Sequence, residues 1–211
     1  MSRDVIAPTG SASGARSRAA KHDPPLKILV VCTSLMPGRR FPAPVTFVNA
    51  LAEQGMTVMF AAEVGPLRKQ LTRTVHYLLV DNAEDAPVKT AHELSRLIRH
   101  HHPDVVHAHG VRCAMVAALA VKACRARCGR VMTVYSPGLL RFPNWIKGPL
   151  LRRAADRYLA ANEELAQELE ELGVPAERIR LEPIDDRHAA GLARASIAIY
   201  RQLARASDSE S

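Results

Sequence analysis

The sequence predicts an α/β protein built on a doubly wound parallel sheet. Three observations point there. Short apolar runs alternate with segments whose apolar residues recur at helical spacing, and short loops join them. The apolar runs, such as Lys27-Ile-Leu-Val-Val-Cys-Thr33, are continuous rather than alternating, which suits strands covered on both faces. One run, Asp104-Val-Val-His-Ala-His-Gly110, passes from strand to helix through a glycine. In open parallel sheets, ligands gather at such carboxyl ends.

The elements follow in order. Residues 1–25 are polar, rich in Ser, Gly and Arg, and close on Pro24-Pro25, so they read as a disordered tail. Residues 27–33 form the first strand. Residues 34–44 form an irregular loop with Gly38, Arg39 and Arg40. A helix spans 45–54, with Phe47, Val48 and Leu51 on one face and Gly55 as its stop. Strands at 57–62 and 75–80 flank a short basic helix or loop at 65–73. An amphipathic helix covers 91–101, and Pro103 ends it. The strand at 105–109 leads into a helix at 111–127. A strand at 130–135 ends on Ser136-Pro137-Gly138, and a loop runs over 139–148. A helix at 149–155, a strand at 157–160, a helix at 163–172 closed by Gly173, and a strand at 178–181 complete the sheet. The main domain is thus 26–186, with a closing helix to 206 and a frayed end at 207–211.

Composition narrows the function. Of 211 residues, 47% are hydrophobic and only 4% aromatic, so the core is aliphatic. The formal net charge of +8 favours anionic partners such as phosphates, nucleotide sugars or acidic lipid headgroups. No DNA-reading helix, RNA-binding aromatic strand or zinc finger is present, so nucleic acid is not an expected partner. Cys32, Cys113, Cys124 and Cys128 do not form a secreted disulfide pattern. Residues 1–25 lack a signal-peptide apolar core, and no run reaches the roughly 20 apolar residues of a membrane span. A cytoplasmic protein is expected, with no cofactor.

Five histidines lie between residues 100 and 109. His100, His101 and His102 are expected to point apart at a helix end, where they can bond the last carbonyls. No spacing matches a zinc signature, so no metal is expected. Cys124 and Cys128 are four apart on the expected helix, but two ligands do not make a site. His107 and His109 alternate on a strand and share a face, at the end where ligands gather. A neutral imidazole there can accept a proton from a hydroxyl or bond a phosphate. The competing reading is a buried histidine bonded to backbone. Arg39 and Arg40 beside Gly38 suit a diphosphate, or are simply solvated. Trp145, Lys147, Arg152 and Arg153 belong to a basic stretch with aromatic and aliphatic residues. Such a stretch suits the edge of an anionic membrane, or packing against another domain.

The order of motifs resembles the N-terminal domain of GT-B glycosyltransferases of the family 4 type. Asp104-Val-Val-His-Ala-His-Gly110 is similar to the family's D-[VI]-[VI]-H-x-H run. The first strand, its loop and Gly55-Met-Thr-Val resemble the family's opening. The run from Ala154-Ala-Asp-Arg-Tyr-Leu-Ala160 through Glu163-Glu-Leu to Gly173-Val-Pro-Ala-Glu-Arg-Ile179 resembles its A-D…G-V-P-x-x-[KR]-I stretch. The resemblance implies a Rossmann-like sheet and sugar transfer from a nucleotide sugar to a glycan or lipid-linked acceptor. It implies His109 and Tyr135 as catalytic groups, Tyr135 standing where the family has a histidine and acting as a hydrogen-bond donor. Gly38, Arg39, Arg40, His107, Gly110 and Gly138 then form the substrate- and phosphate-binding set.

The departures are informative. The opening loop holds one glycine where the family has a pair, and Pro183-Ile-Asp-Asp186 replaces P-N-G-V-[DN]. The family's donor-binding second domain has no counterpart in these residues, while 189–206 resembles the helix that packs back on the first domain. A separate donor-binding chain is therefore the expected partner. The alternative is a non-catalytic binding or scaffold domain derived from the family.

Overall fold

The computed structural model describes residues 25–32, 44–81, 83, 85–135, 144–182 and 188–209; for 144–147 and 208 it describes the backbone alone. Seven strands and six α-helices are described. They are β1 (Lys27–Val31), α1 (Pro44–Glu53), β2 (Thr57–Ala62), β3 (His76–Leu79), α2 (Pro87–His101), β4 (Val105–His109), α3 (Val111–Cys124), β5 (Gly129–Val134), α4 (Asn144–Ala154), β6 (Arg157–Ala160), α5 (Glu163–Glu171), β7 (Ile179–Leu181) and α6 (Ala189–Ser209).

All seven strands pair in parallel in the order β3-β2-β1-β4-β5-β6-β7. The order reverses between β1 and β4, so the crevice outside their carboxyl ends is the topological switch point. The central strands are apolar because both faces are covered. Leu29, Met59, Val106 and Met132 face a core closed by α2, α3, α4 and α5. Ile28, Phe60, Val105 and Val131 face a second core closed by α1 and α6. The closing helix is thus a full layer on one face, and it approaches so closely that a Cβ on Gly129 would lie 2.6 Å from Leu203 Cβ.

Several boundaries differ from the sequence reading, each for a physical reason. β3 is an edge strand with exposed and half-buried residues, so its apolar signal is weak and it shortens to four residues. The basic segment after β2 is a 3₁₀ turn, Pro66–Gln70. α2 starts at Pro87, with proline in the first turn, where its missing N–H costs nothing. α4 starts at Asn144 rather than Pro149, so the expected loop ends earlier. α3 stops at Cys124 because Arg125 turns left-handed (φ 52°). Cys128 therefore lies beyond the helix, and the expected four-residue helical pairing with Cys124 does not exist. His100 and His101 do not point apart: their rings meet edge to face at 4.7 Å.

Candidate functional site

β4 carries the site. Its alternation sends Val105, His107 and His109 to the α1/α6 face, and β5 sends Val131 and Thr133 there beside them, with His107 opposite Val131 and His109 opposite Thr133. Tyr135, two residues after Thr133, continues that face. Gly110 then turns the chain into α3 with φ 91°, a conformation that L side chains rarely adopt. Its N–H donates to Thr133 O at 2.9 Å, which locks the two strand ends together.

His107 is wholly buried, and both its ring nitrogens are occupied. Nδ1 bonds the Tyr200 hydroxyl from α6, and Nε2 meets Thr133 Oγ1 at 2.6 Å. Burial, and then the neighbouring His109, holds its pKa well below the ordinary value, so the ring is neutral. The expectation that His107 binds substrate or phosphate meets a ring with no nitrogen left to offer. The ring is buried as the competing reading expects, but its partners are side chains rather than backbone.

His109 differs. Its ring stacks on His107 at 4.7 Å between centroids, and Phe47 meets both rings edge-on at 5.2 Å. Nδ1 bonds the Tyr135 hydroxyl, while Nε2 is buried with no hydrogen-bond partner among the described residues. Burial lowers the imidazole pKa to about 3 and raises the Tyr135 phenol well above its ordinary value. Both groups are uncharged, so Tyr135 keeps its O–H and the ring is one of two neutral tautomers. When Nδ1–H donates to Tyr135, Nε2 is a bare acceptor. When Tyr135 donates, Nε2–H is a donor.

The structure thus brings His107, His109, Gly110 and Tyr135 to one place. Gly38, Arg39, Arg40 and Gly138 lie outside the described residues. The side chains of Trp145 and Lys147 do as well. Arg152 and Arg153 are exposed in the last turn of α4, on the face of the sheet opposite α1 and α6. The sequence reading missed Tyr200, Thr133 and Phe47. Thr133 could have been found from the shared alternation of β4 and β5. Tyr200 is the sole aromatic of α6, but nothing local links it to His107, 93 residues earlier. Among the described residues no group of three His, Cys, Asp or Glu is arranged to hold a metal ion.

A doubly wound parallel sheet whose polar groups meet at the switch point defines a Rossmann-like α/β domain. The chain belongs to Glycosyltransferase Family 4, whose profile it matches over residues 45–183, more than half of its length. In structure it is similar to a glycosyltransferase from Rickettsia africae, with TM-score 0.59 and 18% identity over 74% of this chain and 42% of that one. It is also similar to Anabaena HepE, solved in complex with UDP-glucose, with TM-score 0.55 and 15% identity over 74% of this chain and 43% of that one. A UDP-GlcNAc 2-epimerase from Neisseria meningitidis shares the fold as well, with TM-score 0.53 and 15% identity over 84% of this chain and 52% of that one. The chain therefore spans about half or less of the length of these structures. No curated protein matches it in sequence.

Proposed function

We propose that this chain forms the acceptor side of a sugar transfer, from a nucleotide sugar to a glycan or lipid-linked acceptor. The donor-binding groups come from a separate chain. The observation that carries this reading is Nε2 of His109, a buried imidazole nitrogen at the switch point that has no partner among the described residues, with its ring held by Tyr135 and His107. A buried polar atom without a partner is costly, so its retention is explained by a ligand that satisfies it. An acceptor hydroxyl placed there hydrogen-bonds to the bare nitrogen as its oxygen attacks the sugar's anomeric carbon. The bond from that carbon to the diphosphate breaks, and the hydroxyl proton passes to His109, whose basicity rises as the diphosphate's negative charge comes beside the buried ring. Tyr135 sets which tautomer is present. The UDP-glucose bound by HepE supports a nucleotide sugar as the donor.

One wall of a cleft offers few contacts, so affinity for the isolated chain is weak. The protein acts in the cytoplasm, and Trp145, Lys147, Arg152 and Arg153 give it a peripheral contact with an anionic membrane. Among the described residues no helix is long and apolar enough to cross one.

The test is co-purification from the native cell followed by a transfer assay. A second glycosyltransferase-like chain should be recovered, and His109→Ala should lower transfer by the complex about 100-fold or more, without unfolding this domain. If the protein purifies alone and no partner restores transfer, it is a scaffold derived from the family.

A further inference from the structure

A second site lies away from the switch point. The carboxyl-terminal halves of α3 and α4 line an open groove of about 870 Å³. Its lining includes residues at the starts of β5 and β6, so it sits at the amino ends of those strands, opposite the site on β4. We propose that this groove binds an amphiphilic phosphate, a molecule with a phosphate headgroup and an apolar tail.

Charge is the first argument. Lys122, Arg125, Arg152, Arg153 and Arg178 line the groove, and none is paired with a carboxylate among the described residues. The groove's single carboxylate, Asp156, is already spent. It accepts from Arg130 Nη2 at 2.6 Å, from Arg130 Nε at 3.3 Å and from the Arg130 backbone N–H at 2.9 Å. That pair is neutral as a unit and leaves five cations facing one concave surface. Helix dipoles account for part of this, since Arg152 and Arg153 end α4 and Arg125 ends α3. They do not account for Arg178, which comes from the 3₁₀ turn before β7. Guanidinium forks from separate elements are suited to a tetrahedral, multiply charged oxyanion.

The apolar lining is the second argument. Leu119 and Leu150 are 51% and 37% exposed, two of the six large hydrophobics left exposed among the described residues, and both line this groove with Met115. Neighbouring exposed leucines inside a cationic rim are a site for an apolar group attached to an anion, not for a bare ion. The concave shape favours a single molecule over a flat bilayer surface.

The experiment measures binding of decyl phosphate, below its micelle concentration, to the full chain by calorimetry and amide chemical shifts. Two further arms use inorganic pyrophosphate and vesicles of phosphatidylglycerol. The proposal predicts saturable 1:1 binding of decyl phosphate, with shifts confined to the end of α3, the last turns of α4 and the turn at Ala176–Arg178. Pyrophosphate should bind about 10-fold more weakly or worse, since it lacks the tail. Arg152→Gln with Arg178→Gln should weaken decyl phosphate at least about 10-fold. Leu119→Ser, which keeps every charge, should weaken it several-fold without affecting pyrophosphate. The proposal is overturned by the absence of saturable binding, by pyrophosphate binding as well as decyl phosphate, by shifts centred on β4, or by binding to vesicles alone. Because the shifts are read on the unaltered protein, a poorly folded variant does not rescue the idea.

Discussion

The two ends of the sheet are built in opposite ways. At the carboxyl end of β4, two imidazoles, two phenols and a threonine meet in a buried, uncharged cluster. At the amino ends of β5 and β6, cations and exposed leucines line an open groove. A net charge of +8 reads in the sequence as a reason to expect anionic partners, with Arg39 and Arg40 beside Gly38 as the expected diphosphate contact. Among the described residues, five cations without a carboxylate partner line the groove at the other end. Charge read from composition says which partners a protein prefers, and only topology says where they sit.

The sharpest way to break the buried cluster is His107→Ala. It removes a ring that stacks on His109 and meets Phe47 edge-on, and it takes the imidazole partner from the buried Tyr200 and Thr133 hydroxyls. The variant should lose about 3–5 kcal/mol of unfolding free energy in urea, a much larger loss than any single substitution in the groove produces.

Acid should distinguish the ends next. Both imidazoles are held neutral, His109 down to about 3. An unfolded chain protonates them below about pH 6.5, while the native chain does not. The unfolded state therefore binds more protons in that window, and stability falls as pH drops through it. Each such group contributes up to about 1.4 kcal/mol per pH unit. The difference between wild type and His109→Gln, followed from pH 7 to pH 4, should shrink by that slope. A constant difference would mean that His109 is not held neutral.

A smaller effect belongs to the groove's rim. Asp156→Ala should cost about 1–3 kcal/mol, because the Arg130 backbone N–H and guanidinium both lose their acceptor. The smallest effect belongs to Arg152 and Arg153, both exposed in the last turn of α4. Replacing these two should leave the urea midpoint nearly unchanged. The proposed membrane contact is tested by replacing Trp145 and Lys147 as well. The combined replacement should abolish sedimentation with phosphatidylglycerol vesicles, which salt should also reverse in the wild type.

Much of this architecture is legible in the sequence. Continuous apolar runs and helical spacing give every strand and helix, because burial on two faces leaves a strong signal. The half-exposed edge strand β3 is the least sharply bounded for the same reason. The spacing of His107 and His109 places both on one face at the switch point. Their unlike fates are not legible, because they depend on Tyr200, which reaches His107 from the last helix. The basic groove is half legible: Arg152 and Arg153 stand out locally, whereas Lys122, Arg125 and Arg178 join them only when α3, α4 and the turn before β7 pack together.

The central claim is that, of two histidines two residues apart, His109 faces a ligand and His107 holds the wall behind it. Imidazole nitrogen-15 spectra of histidine-labelled protein test this directly, recorded without and with millimolar UDP-glucose, together with any donor-binding chain that co-purifies. The account predicts that Nε2 of His109 shifts on addition, while both nitrogens of His107 keep the frequencies set by Tyr200 and Thr133. A His107 that responds as strongly as His109, or a His109 that does not respond at all, would contradict it.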